Sequence, residues 1–184
     1  SQLNVERIAS LHSIMPFTVP KASEEVKETL RKALFGEDIA YTIPSKSYDK
    51  KGKASGELVG GNISILYSLL GSKSSINTKD KILFIEDLDE YLYHIDRMMF
   101  NIKRNGYFEK VKGIIVGSMS DMHDNEIPFG QNEVQIITEI AKENNIPIAF
   151  EFPAGHQKDN RTLILGKKVD FEVNENEIIL RFKD

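Results

Sequence analysis

The chain is expected to fold as an α/β protein: a mixed sheet with parallel βαβ units and a C-terminal antiparallel hairpin. Three observations point there. Residues 82–85, 113–117 and 147–152 are short apolar runs with the length and composition of buried strands. Helical periodicities separate them, and strand–helix–strand alternation is the pattern of parallel βαβ units. The final stretch alternates instead over 162–165, 168–173 and 177–182, with Asn174-Glu175-Asn176 as a hairpin turn. Three parallel strands with antiparallel additions result.

The chain has 184 residues, 40% hydrophobic and 28% charged, which suits one domain with a sizeable core and an appended segment. Net charge is −4, and Lys and Arg are scattered rather than striped, so no nucleic-acid partner is expected. No apolar run approaches the roughly 20 residues of a membrane span. Cysteine is absent, which removes disulfides, thiolate zinc sites and a cysteine nucleophile, and fits a cytoplasmic protein.

Taken in order, residues 1–22 carry little pattern beyond apolar patches near 8–11 and 14–17, with Pro16 and Pro20 expected to keep the chain extended. Ser23 reads as an N-cap before Glu24 and Glu25, and Val26, Leu30, Ala33 and Leu34 repeat at helical spacing until Gly36. Residues 39–43 alternate as a short strand closed by Pro44. Residues 45–55 are polar and lysine-rich and read as an exposed loop. Gly60-Gly61-Asn62 then reads as a tight turn with Asn62 as N-cap of a helix carrying Ile63, Leu66, Leu69 and Leu70. After the strand at 82–85, Leu92, Ile95, Met99 and Ile102 form one apolar helical face, with Asp87 or Asp89 as cap and Gly106 as stop. A further helix is read near residues 132–144, with Val134, Ile137 and Ala141 inward.

In a parallel sheet ligands bind outside the carboxyl ends of the strands. Glu86 follows the first apolar strand, Asp121 the second, and Pro153-Ala154-Gly155-His156 the third, so one rim receives a Glu and a His. A histidine oriented by a carboxylate is the base half of a nucleophilic triad. The bland readings stand beside this one: Glu86, Asp87, Asp89 and Glu90 as a charge-compensated helix start, and His156 as a surface histidine. His12 and His94 have no evident partners. Asp121-Met122-His123-Asp124 matches no metal-site spacing. Ser118 and Ser120 lack a Gly-x-Ser-x-Gly elbow, so the residues alone supply a base and its orienter but no nucleophile.

Gly60-Gly61-Asn62-Ile63-Ser64 with Leu66 and Leu69-Leu70-Gly71, then Ile82-Leu83-Phe84-Ile85-Glu86-Asp87 with Glu90, Tyr93, Ile95-Asp96-Arg97 and Met98, closely resemble the C-terminal half of LD-carboxypeptidases. That serine-peptidase family also contains the microcin C self-immunity peptidases. Gly113-Ile114-Ile115-Val116-Gly117, Pro153-Ala154-Gly155-His156 and Leu165-Gly166 fit the same pattern, and residues 22–43 resemble the preceding family segment. The resemblance implies a swivelling β/β/α-type domain over 56–184, with 1–55 connecting from an N-terminal domain.

It further implies a metal-free and cofactor-free Ser-Glu-His triad, in which Glu86 and His156 are catalytic and Glu90 is the fallback for Glu86. The serine belongs to a Gly-x-Ser-Asp turn that this sequence lacks, so the chain is expected to be the second half of a longer enzyme and inactive alone. By resemblance the substrate is murein tetrapeptide, which loses its terminal D-alanine in cytoplasmic cell-wall recycling. The enzyme would be a homodimer, and Asn62 would line the substrate cleft. Three alternatives accompany this expectation: an immunity-type peptidase acting on microcin-like conjugates, a non-catalytic peptide- or muropeptide-binding domain, and a metal-dependent hydrolase using Asp121, His123 and His156.

Overall fold

The computed structural model describes residues 8–183. Among the described residues nine strands and four α-helices follow in the order β1 (Ser10–His12), α1 (Glu24–Phe35), β2 (Ala40–Pro44), β3 (Gly52–Asn62), α2 (Ile63–Ser68), β4 (Ile82–Leu88), α3 (Leu92–Arg104), β5 (Gly113–Ser120), α4 (Glu133–Ala141), β6 (Ile148–Ala149), β7 (Leu163–Leu165), β8 (Lys168–Val173) and β9 (Glu177–Phe182). Seven strands form one mixed sheet ordered β2–β9–β8–β3–β4–β5–β6, and β1 pairs with β7 in a separate ribbon. The α/β class and the β8–β9 hairpin are as the sequence predicts.

The parallel part has four strands, not three. Strand β3 takes in the end of the predicted loop, from Gly52, and the predicted Gly-Gly turn: its first half pairs antiparallel with β8, and its second half pairs parallel with β4. The composition around Gly52, Lys53, Ser55 and Gly56 is poor in strand formers, which hid it. Gly60 lies in this strand because the backbone of β4 comes so close. A Cβ there would fall 1.8 Å from the Phe84 carbonyl oxygen.

Side chains alternate across β4 with period two, and the two faces feed two cores. Leu83 and Ile85 join Ile63, Leu66, Ile95, Met99, Ile102, Ile137 and Ile140 beneath α2, α3 and α4. Ile82 and Phe84 point the other way, into a core shared with Leu163, Leu165, Val169 and Phe171. The β1–β7 ribbon lies on that second face. Glu86 follows the same parity as Phe84.

Helix α1 begins at Ser23, whose Oγ accepts from Val26 N, and ends at Gly36 with φ +70°. Its inward stripe is Val26 and Thr29, whereas Leu34 is exposed. Residues 15–22 turn rather than extend: Thr18 N bonds Met15 O, and Val19–Lys21 form one 3-10 turn containing Pro20. Helix α4 starts with a full capping box between Asn132 and Gln135. Among the described residues no helix is long and apolar enough to cross a membrane.

Candidate active site

Strand β4 delivers two adjacent carboxylates to the carboxyl edge of the parallel strands, on opposite faces. Both are buried, and their partners differ completely. Asp87 turns toward the helices, where it accepts from Asn62 Nδ2 (2.7 Å), Ser64 N (3.0 Å), Ser64 Oγ (2.9 Å) and Leu88 N (2.9 Å). It therefore secures the start of α2. The expected cap of α3 by Asp87 or Asp89 is absent: Tyr91 is the N-cap and makes no side-chain cap bond. Asp89 instead pairs with His123 Nε2 at 2.6 Å.

Glu86 turns toward the opposite face and meets His156. Its Oε2 lies 2.7 Å from His156 Nδ1. His156 stands on the loop after β6, and that loop is bound to β5: Ser118 N donates to Ala154 O (2.9 Å), and Ser120 Oγ donates to His156 O (2.6 Å). Gly155 N donates to Asn160 Oδ1 at 3.0 Å, closing the loop on itself. Gly155 has φ +110°, and a Cβ there would lie 2.5 Å from Ser118 Oγ and 2.9 Å from Glu86 Oε2. Only glycine lets the loop take this conformation at this distance from the carboxylate.

Burial alone pushes the Glu86 carboxyl up, but contacts with His12 and His156 outweigh it and hold the group below its ordinary range. An ionised carboxylate only accepts, so His156 Nδ1 carries the proton and Nε2 presents a free lone pair. The Glu86 side chain is 1% exposed and that of His156 is 50% exposed. The pair is thus anchored at its acid end and open at its base end, and no described residue hydrogen-bonds Nε2. Chemically it can accept a proton from a nucleophile brought to that nitrogen, with the imidazolium stabilised from behind.

The other candidates fall elsewhere. Glu90 accepts from Ser64 Oγ (3.0 Å) and contacts His94 Nδ1 (2.6 Å), so His94 has a partner after all and Glu90 is committed away from His156. Asn62 sits opposite Glu86 in the β3–β4 register and caps α2 by accepting from Ile65 N. Among the described residues no group of three His, Asp or Glu side chains is gathered as for a metal. The sequence reading missed His12. Its Nε2 stands 3.7 Å from Glu86 Oε1, and its ring packs edge-on against Phe84 with centroids 4.8 Å apart. A three-residue strand has no periodicity to reveal it, and only its pairing with β7 carries His12 to this face.

The family model for the LD-carboxypeptidase C-terminal domain matches residues 55–171. A probable murein peptide carboxypeptidase of Bacillus subtilis is 35% identical over 133 residues, covering 70% of this chain and 40% of the relative. The microcin C7 self-immunity protein MccF of Escherichia coli is 33% identical over 131 residues, covering 68% of this chain and 36% of the relative. The crystal structure of muramoyltetrapeptide carboxypeptidase from Oxalobacter formigenes superposes with a TM-score of 0.87 at 23% identity, over 100% of this chain and 66% of that one. The chain thus spans less than half the length of these two curated relatives. With the C-terminal domain of that family recognised over residues 55–171, the chain belongs to the LD-carboxypeptidase family.

Proposed function

We propose that this chain is the Glu/His-bearing half of a serine-type LD-carboxypeptidase that removes terminal D-alanine from murein tetrapeptide in cytoplasmic cell-wall recycling. One observation carries the reading: a buried, ionised Glu86 holding Nδ1 of a half-exposed His156 whose Nε2 faces outward. The serine would come from a segment other than the described residues, together with the oxyanion donors. Its hydroxyl attacks the scissile amide carbonyl while His156 Nε2 takes the proton. The tetrahedral intermediate collapses, the C–N bond breaks, and Nε2 returns the proton to the departing D-alanine amine. Water, deprotonated by the same nitrogen, then cleaves the acyl-serine ester. Throughout, Glu86 holds the imidazole orientation and stabilises the imidazolium.

Asn62, level with Glu86 in the β3–β4 register, would line the substrate cleft at the same strand edge. Its amide spends one donor on Asp87 and one acceptor on Ile65 N, which leaves one of each for a substrate peptide group. Activity as a homodimer belongs to the same proposal, with residues 1–55 leading in from the segment that carries the serine. The immunity relative favours a second substrate class, microcin-like peptide conjugates.

The test is D-alanine release from murein tetrapeptide by the full-length natural protein. His156→Ala should lower kcat/KM by about 10³–10⁴-fold or more. Full activity in that variant would overturn the assignment. Cleavage of a peptide–nucleotide conjugate with no D-alanine release would favour the second class. The 184-residue chain alone should release none; turnover by it would move the nucleophile to a serine within it, Ser120 first.

A further inference from the structure

Glu86 has a second imidazole on its other oxygen. While His156 Nδ1 occupies Oε2 at 2.7 Å, His12 Nε2 approaches Oε1 to 3.7 Å from the β1–β7 ribbon. The two histidines reach the carboxylate from separate elements, neither of which is its neighbour in sequence. His12 is fixed by its edge-to-face contact with Phe84 and by the ladder that pairs it with Leu163. Its side chain is 20% exposed, and its Nδ1 is buried with no hydrogen-bond partner. A buried imidazole with one orphaned nitrogen is costly unless the other nitrogen is well used. Here the other nitrogen faces only Glu86. The remaining surroundings of the carboxylate are uncharged: Ser118 Oγ from β5, also without a partner, and the Gly155 backbone. Asp87 is turned to Asn62 and Ser64 on the opposite face.

We propose that His12 is a positioning residue for Glu86. Its Nε2–H, 3.7 Å from Oε1, attracts that oxygen and biases the carboxylate plane so that Oε2 meets His156 Nδ1, and the working unit is a His12–Glu86–His156 line rather than a lone pair. Its catalytic consequence rests on the peptidase reading above; the geometry itself does not. Without His12, the buried carboxylate loses one of the two imidazoles set against it, rotates more freely and holds its charge less firmly. The effect passes to His156 through the shared group, because two ligands of one carboxylate are linked reciprocally.

The experiment is an NMR titration of the isotope-labelled 184-residue chain, following the Glu86 carboxyl carbon and the imidazole resonances. His12→Phe keeps a ring against Phe84 and removes the N–H, whereas His12→Gln restores an N–H donor. His12→Phe should raise the Glu86 midpoint by about one pH unit, and His12→Gln should recover most of that shift. A folded His12→Phe chain with wild-type titrations would overturn the proposal. So would His12→Gln shifted as far as His12→Phe, since packing alone would then explain the change. Should His12→Phe not fold, Glu86→Gln decides the matter: the ring resonances of both His12 and His156 should move, and movement of His156 alone overturns the proposal. In the full-length protein, His12→Phe should lower kcat with little change in KM, and His12→Gln should recover most of the loss. A wild-type full-length protein inactive on murein peptide counts against the peptidase reading and leaves the titration result standing.

Discussion

Glu86 resolves a competition between burial and pairing. A carboxyl removed from water should rise toward protonation, yet His12 and His156 hold it below the ordinary 4.5. Between its folded value and 4.5 the unfolded chain binds the proton more readily, so stability rises with pH across that window. Glu86 therefore contributes fully above about pH 4.5, and its contribution is lost as the pH falls through the depressed folded value. Comparing wild type with Glu86→Gln isolates this group from the other carboxylates whose values are also lowered, such as Glu151 and Asp170. Urea midpoints measured from pH 6 to pH 3 should show a destabilised variant at the upper end and a shrinking difference toward the lower end. A difference that widens on acidification would mean that Glu86 is held protonated in the native state. In the sequence Glu86 was indistinguishable in type from Asp87, Asp89 and Glu90, and strand parity separates their roles. The period-two alternation of Phe84 and Glu86 aims one carboxylate at the histidines, and Asp87 goes to the helix side.

The handover from β3 to α2 shows how a neighbouring strand finishes what a helix starts. Helix α2 is only Ile63–Ser68, too short to persist by propensity, and its first turn is held by Asn62 and by Asp87 of the next strand. Periodicity made α1, α3 and α4 legible, because an apolar stripe lies within each segment, and α1 and α4 also carry their own caps. A cap supplied across a sheet leaves no local trace, so Asp87 read as the cap of its own downstream helix. The same reason hid β3, whose glycines and lysines become strand only through pairing with β8 and β4. Asp87→Ala leaves part-buried donors on Asn62, Ser64 and Leu88 without this acceptor, at about 1 kcal/mol for the loss. The urea midpoint should fall accordingly, and amide exchange should quicken at Ser64. Destabilisation no greater than that of the exposed Glu126→Ala change would show that α2 does not depend on this contact.

The first third of the chain is built into the same body as the rest. Strand β2 closes the β9 edge of the large sheet, β1 pairs with β7, and α1 packs its Val26 and Thr29 inward. Thr162, fully buried just before β7, joins all three. Its N–H donates to Thr29 Oγ1 (3.0 Å), its carbonyl accepts from Tyr41 OH (2.6 Å), and its hydroxyl meets Ser13 Oγ (2.6 Å). None of this was legible beforehand, because Thr162 looks in sequence like the start of an ordinary alternating strand and its partners lie more than a hundred residues away. A chain beginning at Gly56 would keep nearly all the residues the family model matches, 55–171, yet lose each of these partners. Three unmatched polar groups at about 1–3 kcal/mol each are a large share of the roughly 5–15 kcal/mol that stabilises a domain. The bared β9 edge and the uncovered Leu163, Leu165 and Phe171 add to the loss. The 56–184 chain should therefore lack a cooperative thermal transition by circular dichroism and elute as aggregate in size exclusion, while residues 1–184 melt cooperatively and elute as a discrete species. A cooperative, soluble 56–184 chain would mean that the Thr162 junction adds little, and that the parallel half with its β8–β9 hairpin is the independent folding unit.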